Sequence, residues 1–246
     1  MGRTELRVEL LQHTINPEQL VALAAKLCYS SADIGELQQG VTEVDQSLFV
    51  RKLADMGHLT PIEHVSFTFG VEGVSRSLLA QITRHRIASF SVKSQRYVSE
   101  DSSAKAAGVF NYIIPPRIAA LGDNEVQEYA GQMAKIQQWY DQWLEKLACH
   151  GDAAREDARF ILPNAAETKL VVTMNARELL HFFALRCCNR AQWEIRALAT
   201  EMLRLVRQVA PELFREAGPG CLTGPCPEGA MSCGRQAEVC DKFRKL

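Results

Sequence analysis

The chain has 246 residues, 47% of them hydrophobic and 23% charged, and this composition excludes intrinsic disorder, collagen and coiled-coil arrays. The 28 Lys and Arg residues are balanced by 29 Asp and Glu residues, so the chain lacks the global positive charge that holds nucleic acid non-specifically. No apolar stretch approaches the ~20 residues that cross a bilayer, and the charged N-terminus is unlike a secretory signal. We therefore expect a globular cytoplasmic protein that binds neither membranes nor nucleic acid, and any anion site in it must be local.

The first segment of the chain predicts two amphipathic helices. Asn16 before Pro17 is typical of a helix start with a side-chain cap, and apolar residues then recur at helical spacing as far as Leu27. A second helix is predicted from about residue 44 to residue 56, and Gly57 is placed to end it in the left-handed region. The predicted apolar face of this second helix comprises Leu48, Phe49, Leu53 and Met56.

The next segment predicts the first strand and a third helix. Residues 64 to 72 alternate strictly between polar and apolar side chains, which predicts a half-buried antiparallel strand. Ser75 is then placed to cap a helix that reaches Ile82. Residues 89 to 97 have no amphipathic pattern and are interpreted as an ordered loop, whereas residues 111 to 114 resemble a short strand.

The second half of the chain is predicted to be mainly helical. A long helix is expected from about residue 124 to residue 149, and a short one before Pro163. A strand is expected at residues 170 to 174, and Asn175 then begins two successive helices, the second of which reaches about residue 210. Helices and strands interleave without a regular βαβ repeat, which favours an α/β or α+β fold in one domain.

The residues with the clearest chemical character lie between positions 81 and 96, in a stretch without carboxylates. Arginine forks bind phosphate oxygens bidentately and hydroxyl groups add donors, so the stretch is interpreted either as a phosphate-binding loop or as a solvated basic helix end. The sequence contains no glycine-rich phosphate cradle, so side chains would have to hold any nucleotide. The polar residues of this basic stretch include Gln81, Arg84, His85, Arg86, Lys93, Ser94, Gln95 and Arg96.

Five ordered motifs resemble those of the flavin-dependent thymidylate synthases, the ThyX family. Arg84-His85-Arg86, followed after seven residues by Ser94, matches the RHR-x7-S signature of that family. The set spans about residues 28 to 210 and is far more specific than a single RHR. The other motifs are Gly57-His58-Leu59-Thr60-Pro61-Ile62-Glu63-His64, Gln81 before Arg84, Glu156-x-x-Arg159-x-x-Leu162-Pro163, and Asn175-x-Arg177-x-x-x-His181-x-x-x-x-Arg186 with Ala191-Gln192-Trp193-Glu194-Ile195.

The resemblance implies a reaction, a fold and an assembly. The reaction is methylation of dUMP at C5 to give dTMP, with the carbon from 5,10-methylenetetrahydrofolate and the hydride from reduced FAD, which NADPH regenerates. The fold is a single α/β (α+β) domain, residues 1–215, with a central and mostly antiparallel sheet flanked by helices, followed by a Cys-rich extension, residues 216–246. The assembly is a homotetramer whose sites draw on several subunits.

The same resemblance implies which residues contact the substrate and the cofactor. The residues expected at dUMP are Gln81, Arg84, Ser94, Gln95, Arg96, Arg159 and Arg186. The residues expected at FAD are Cys28, Thr60, Arg84, His85, Arg86, Asn175, Arg177 and His181, with His58 near both flavin and folate.

Arg186 is the residue expected to carry the chemistry. Uracil C5 becomes nucleophilic when negative charge builds along N3 and C4=O, and a cation at that edge stabilises the charge. The resemblance implies that Arg186 is this cation, on a helix face where Phe182 and Phe183 would desolvate it. Without the resemblance, a structural ion pair of Arg186 with Glu194 or another carboxylate is the simpler interpretation.

Two local features bear on this expectation. Many family members have Asn-Glu where this chain has Ser91-Val92, so a glutamate contact to dUMP or flavin is lost or made by a neighbouring backbone group, with Lys93 as an electrostatic replacement. The Cys187-Cys188 pair is interpreted as helix packing and not as a nucleophile, because cysteine is a frequent core residue.

The cysteines of the C-terminal tail have two interpretations. Cys221, Cys226, Cys233 and Cys240 crowd a Gly- and Pro-rich segment. They supply the four soft ligands of a tetrahedral Zn²⁺ site, or they stay reduced thiols in a loosely packed extension.

The rival to the enzyme is a non-catalytic RNA-binding or regulatory module. In that hypothesis, Arg84, Arg86, Lys93 and Arg96 hold backbone phosphates. Only two aromatic residues, Phe90 and Tyr97, are interleaved with these cations as stacking platforms, and the balanced net charge further weakens the hypothesis.

Overall fold

The computed structural model describes residues 2–246 of the chain. The helices and strands in chain order are β1 (Arg7–His13), α1 (Pro17–Leu27), α2 (Ile34–Thr42), α3 (Ser47–Asp55), β2 (Ser66–Ser75), α4 (Arg76–Ile82), β3 (Ala88–Val92), α5 (Pro116–Ala119), α6 (Asp123–Lys146), α7 (Ala153–Ala158), β4 (Glu167–Asn175), α8 (Ala176–Arg186), α9 (Trp193–Val209) and α10 (Gln236–Arg244). Within the described residues, no helix combines the length and the apolar character that a bilayer span requires.

The strands form one antiparallel sheet in the order β1-β2-β4-β3. The hydroxyls of Thr68 in β2 and Thr173 in β4 lie 2.9 Å apart across the central pair, and Thr14 N donates to Ser66 O (3.0 Å) beside the end of β1. The apolar residues at alternate positions of the two predicted strands are buried, which confirms both strands: Val65, Phe67, Phe69, Val71, Leu170, Val172 and Met174. The predicted sheet within a mixed fold is therefore confirmed.

The chain divides into two compact units. The first comprises Val71–Arg84 and Ser91–Val171 together with the N-terminal residues up to Arg7. A hydrophobic cluster in this unit joins Phe110 and Tyr112 to Met133 of α6. The two rings pack edge to face with centroids 6.3 Å apart, a geometry that adds to the free energy of burial.

The second unit comprises Val8–Gly70, His85–Phe90 and Val172–Leu246. Its core is aromatic: the ring of Phe214 packs edge to face against Phe67 at 5.4 Å and against Phe183 at 6.0 Å. The apolar period of α9 is confirmed at its inner positions. The buried apolar residues of this helix are Ile195, Leu198, Ala199, Met202, Leu203 and Val206.

Two of the predicted helix caps are formed as expected. The hydroxyl oxygen of Ser75 accepts a hydrogen bond from Leu78 N (3.1 Å) and begins α4 directly after β2. The carboxamide oxygen of Asn175 accepts one from Glu178 N (2.9 Å) and begins α8 directly after β4. Each cap satisfies a backbone N–H that the first helical turn leaves unpaired.

Three local expectations are wrong. Asn16 adopts the left-handed conformation (φ 47°) and makes no side-chain cap. In the second predicted helix, Leu48 is 73% exposed and Met56 58% exposed, although both were expected on the buried face. Part of the predicted loop, residues 89 to 97, forms the strand β3, because alternation is too weak to see in a Ser-rich segment whose burial is only partial.

The C-terminal tail is packed, contrary to the expectation of a loose extension. Val239 and Phe243 of α10 are buried, as are Cys221 and Cys240. The guanidinium of Arg207 donates to the backbone carbonyls of Phe214, Arg215, Ala217 and Phe243 at 2.7–3.1 Å. A half-buried cation with four backbone acceptors therefore ties the tail to α9.

Candidate functional site

A buried histidine links two charged side chains of helix α8. Arg186 Nε lies 3.0 Å from His85 Nε2, and His85 Nδ1 lies 2.9 Å from an oxygen of Glu178. His85 is 4% exposed and Glu178 is 6% exposed. Both ring nitrogens of His85 are therefore engaged by protein partners inside the second unit.

The surroundings of His85 favour its neutral form. Burial lowers the pKa of His85, and the nearby positive charge of Arg186 lowers it further, against the opposing effect of the Glu178 hydrogen bond. Guanidinium N–H groups can only donate, so Nε2 of the neutral ring accepts from Arg186. The ring proton consequently resides on Nδ1 and is donated to Glu178.

Two cavities of the second unit contain most of the residues expected at the flavin. One of about 540 Å³ is lined by Cys28, His58 and Thr60 together with apolar side chains of α1 and α3. Another of about 660 Å³ is lined by Asn175, Arg177 and His181, with Leu59, Ile87 and Leu180 among its apolar wall. Leu59 stands between His58 and Thr60 in the chain, so the segment Gly57–Pro61 borders both cavities.

An ion pair borders the second of these cavities. Arg177 Nη1 pairs with Glu63, and the two side chains are 53% and 41% exposed. Exposed ion pairs are weak, contributing roughly 0–1 kcal/mol to stability. Arg177 can therefore change partner without a large loss of folding free energy.

The end of the basic stretch, residues 91–96, belongs to the first unit and is held by its neighbours. Arg96 Nη2 pairs with Glu156 at 2.9 Å, and Arg155 Nε donates to the backbone oxygen of Arg96 at 2.9 Å. Ser94 Oγ accepts from Arg96 N at 3.1 Å. Arg159 Nε donates to the backbone oxygen of Glu156 at 3.1 Å. The structure therefore places Arg96 beside Glu156, with Arg159 in the following turn of the chain.

Lys93 does not have the role expected of it. Its ammonium pairs with Glu100 at 2.6 Å, and Lys105 pairs with the other oxygen of the same carboxylate at 2.6 Å. Glu100 is 3% exposed, so the two cations neutralise a buried charge. Lys93 therefore cannot replace the glutamate that Val92 lacks without leaving Glu100.

A family model described as "Thymidylate synthase complementing protein" matches residues 9–212. The chain is 53% identical to the flavin-dependent thymidylate synthase of Geobacter sulfurreducens over 98% of this chain and 99% of that one. It is 50% identical to the enzyme of the same name from Clostridium tetani, over 95% of each chain. The chain belongs to the flavin-dependent thymidylate synthase family.

Solved structures share the fold of this family member. Thymidylate synthase X from Helicobacter pylori, determined with FAD and dUMP, has a TM-score of 0.63 at 21% identity and covers 87% of this chain and 99% of its own. The UMP/dUMP methylase PolB from Streptomyces cacaoi, bound with 5-Br dUMP, has a TM-score of 0.66 at 24% identity over 86% of this chain and 93% of that one. At these identities the likeness establishes the fold alone.

The predicted site residues of this family member separate by unit. Apart from Arg186, the residues expected at dUMP lie in the first unit. Apart from Arg84, the residues expected at FAD lie in the second. Arg84, Arg86 and His181 are exposed, whereas the His85 ring is buried, so its ring atoms bind protein groups.

Sequence reasoning missed Glu178, the partner of His85. Its position three residues after Asn175 is that of an ordinary acidic residue in a first helical turn. The only signal in the sequence was a carboxylate directly before the apolar residues Leu179 and Leu180 of α8. The sequence does not show that His85 packs against this turn of the helix. Glu63 and Glu156 stood in recognised motifs, but their ion pairs could not be foreseen.

The zinc interpretation of the tail is wrong. Among residues 2–246, no group of three or more His, Cys, Asp or Glu side chains is placed to hold a metal ion. Cys240 Sγ instead donates to the backbone oxygen of Cys221 at 3.3 Å. All the cysteines described are free thiols, so the alternative of reduced cysteines agrees with the structure.

Proposed function

We propose that this chain is a flavin-dependent thymidylate synthase that converts dUMP to dTMP, with Arg186 as the residue that activates the pyrimidine. The near full-length identity to enzymes of that name supports the reaction. The observation that carries the mechanism is the hydrogen bond of 3.0 Å that holds Arg186 Nε on His85. This contact orients a guanidinium beside the residues of the predicted flavin set.

The residues of the second unit suit FAD. A dinucleotide of this kind needs apolar walls for its rings and cationic or hydroxyl donors for its phosphates. The two cavities offer both, with Arg177, Thr60 and His181 as donors between apolar walls. FAD, once bound and reduced, supplies the hydride. The full predicted set is Cys28, Thr60, Arg84, His85, Arg86, Asn175, Arg177 and His181.

The residues of the basic stretch that belong to the first unit are proposed to bind the dUMP phosphate and sugar. Arg84 is exposed, and Arg96 is held only by a half-exposed pair with Glu156. A phosphate can recruit both guanidinium groups, because charge-assisted bidentate bonds are stronger than an exposed ion pair. Gln81, Ser94, Gln95 and Arg159 complete the proposed set.

Arg186 is proposed to stabilise the charge that builds on the uracil. Phe182 and Phe183, both buried, precede it in the same helix and exclude water from that side. A guanidinium at the N3 and C4=O edge then favours the anionic form of the ring, and this raises the nucleophilicity of C5. The protein itself therefore binds and orients the substrate and the cofactor and polarises the uracil ring.

The co-substrates and the assembly extend the proposal. NADPH and 5,10-methylenetetrahydrofolate are proposed as reductant and carbon donor, with His58 near the folate. A homotetramer is proposed because the family resemblance implies it, and the exposure of several large apolar side chains of α1–α3 and their connections supports self-association. They are Leu27, Tyr29, Ile34, Val44, Leu48 and Met56, at 49–84% exposure. A cytoplasmic location and a boundary at residue 215 stay predictions.

The direct test is dTMP formation by the purified protein with dUMP, methylenetetrahydrofolate, NADPH and FAD. Wild-type protein should form dTMP, and Arg186→Ala should abolish it, since the loss of one charge-stabilising donor costs about 10²–10³ in rate and this arginine supplies more than one. Arg190→Ala, four residues beyond the end of α8, is the matched control and should keep activity. Undiminished activity of Arg186→Ala would overturn its proposed role.

A further inference from the structure

We propose that Glu178 is a positioning residue that acts through His85 to hold Arg186 in one orientation. The proposal rests on the function proposed above, because it concerns the same arginine. It is carried by the continuous chain Glu178–His85–Arg186, with contacts of 2.9 and 3.0 Å.

Glu178 and Arg186 cannot contact one another directly. They lie eight residues apart in α8, which corresponds to about 12 Å along a helix axis. His85 comes from a different segment, between α4 and β3, and bridges this distance with its two ring nitrogens. A change at Glu178 can therefore alter the hydrogen bond of Arg186 through the His85 ring.

The transmission works by selecting a tautomer. A neutral imidazole carries its proton on either Nδ1 or Nε2, and only the Nδ1–H form presents an acceptor to Arg186. A carboxylate can only accept, so Glu178 favours the Nδ1–H form. The first turn of α8 supports that carboxylate, because the positive end of the helix dipole stabilises a negative charge there.

Neighbouring aromatic rings fix the orientation of the His85 ring. Phe182 lies edge to face against the His85 ring, with centroids 4.9 Å apart, and His181 lies on another side at 5.9 Å. A ring fixed in this way gives Arg186 one direction in which to donate. An arginine ordered before the substrate binds avoids the entropic cost of ordering it afterwards.

Glu178→Gln is the informative substitution. The glutamine amide can donate a hydrogen bond to Nδ1 of His85, which allows the Nε2–H tautomer. In that tautomer the Nε2–H group of His85 and the Nε–H group of Arg186 are both donors and cannot hydrogen-bond to each other. We expect dUMP affinity and kcat to fall roughly 10- to 100-fold, the range for loss of an outer hydrogen-bond partner. The melting temperature should fall about as much as in the control below. Because Glu178 also lines the cavity that contains Asn175, Arg177 and His181, dUMP affinity and kcat are measured on the FAD-saturated protein.

Glu167→Gln is the matched control. Glu167 is 5% exposed, and its carboxylate accepts hydrogen bonds from Gly73 N and Asn111 Nδ2 in the first unit. Its loss removes a comparably buried carboxylate that does not reach His85 or Arg186. The control should lower stability without changing the His85 tautomer or the ratio of kcat to KM.

The tautomer is read directly by solid-state ¹⁵N NMR of the FAD-loaded protein labelled at histidine, with His85→Asn to assign the signal. Wild type at pH 7 should show the Nδ1–H form, and Glu178→Gln should add the Nε2–H form. In an Arg186→Lys background, Glu178→Gln should cost little further dUMP affinity, because its effect passes through the arginine.

Three results would overturn the proposal. They are a wild-type His85 that is Nε2–H or doubly protonated at pH 7, a Glu178→Gln protein with wild-type dUMP affinity, or losses that add fully in the Arg186→Lys background. The first does not require Glu178→Gln and decides the matter even if that variant fails to fold. If Arg186→Ala keeps full activity while the tautomer shifts as expected, the proposed role of Arg186 fails and the link to His85 stands.

Discussion

At the scale of single residues, burial sets which groups are charged and which are inert. His85 is kept neutral by burial and by Arg186, and it can therefore accept a hydrogen bond that its protonated form could not. Arg96 and Arg177 are instead half-exposed and loosely paired, as suits groups that exchange a protein carboxylate for a ligand phosphate. In the proposed function, the fixed Arg186 polarises the pyrimidine, and the half-exposed arginines bind phosphate.

Cys187 should be chemically inert in the folded protein. Burial raises its pKa to about 12, so at pH 8 almost no reactive thiolate is present. We expect a thiol reagent to modify the exposed Cys149 rapidly and Cys187 only after unfolding. Time-resolved modification followed by peptide mass spectrometry checks this, with Cys149→Ser to assign the fast phase. Rapid labelling of Cys187 would contradict its role in packing.

At the scale of elements, the sequence predicts what depends on local rules. The caps at Ser75 and Asn175 and the alternation in β2 and β4 were predictable, because each is written in consecutive residues. The strands β1 and β3 were missed, because both are only partly buried and take their form from neighbours in the sheet.

The candidate site shows the same limit. Motif residues such as Arg96, Glu156 and Arg159 could be named from the sequence, and the structure brings them together. Glu178 could not be named, since its contact with His85 joins residues 93 positions apart. Likewise, the sequence offered Lys93 as a free cation, whereas the fold commits it to Glu100.

The two helix caps offer a matched pair of substitutions. Ser75→Ala and Asn175→Ala should each lower the free energy of unfolding by about 1 kcal/mol, because each removes the acceptor of one N–H in a first turn. Only Asn175→Ala should also weaken FAD binding, since Asn175 alone lines a cavity of the predicted flavin set. Urea denaturation and flavin titration check the two effects. Equal FAD affinity in both variants would remove Asn175 from the flavin site.

At the scale of the whole molecule, the exposed apolar side chains of α1–α3 are the strongest sign of self-association. Leu48 is 73% exposed and Tyr29 84% exposed, near the cavity that contains Cys28 and Thr60. Large exposed apolar groups of this kind are typical of surfaces that another chain covers. A partner subunit there would border one of the proposed flavin cavities.

The assembly should therefore respond to a charge placed at Leu48. We expect the wild-type protein to elute with the mass of four chains in size exclusion with light scattering, and Leu48→Glu to give a smaller species that retains FAD poorly. Leu121→Glu, at a 70% exposed position before α6, is the control and should keep the wild-type mass. A monomeric wild type, or a tetramer untouched by Leu48→Glu, would contradict this interface.

The central claim is that the chain binds FAD and dUMP together and uses NADPH. The most direct measurement is the visible absorption spectrum of the FAD-loaded protein under argon, followed after addition of NADPH with and without dUMP. The account predicts an oxidised-flavin spectrum that NADPH bleaches, and faster bleaching when dUMP is present. Two results would contradict the account: a protein that never retains FAD, or a bound flavin that stays oxidised after NADPH is added in the presence of dUMP.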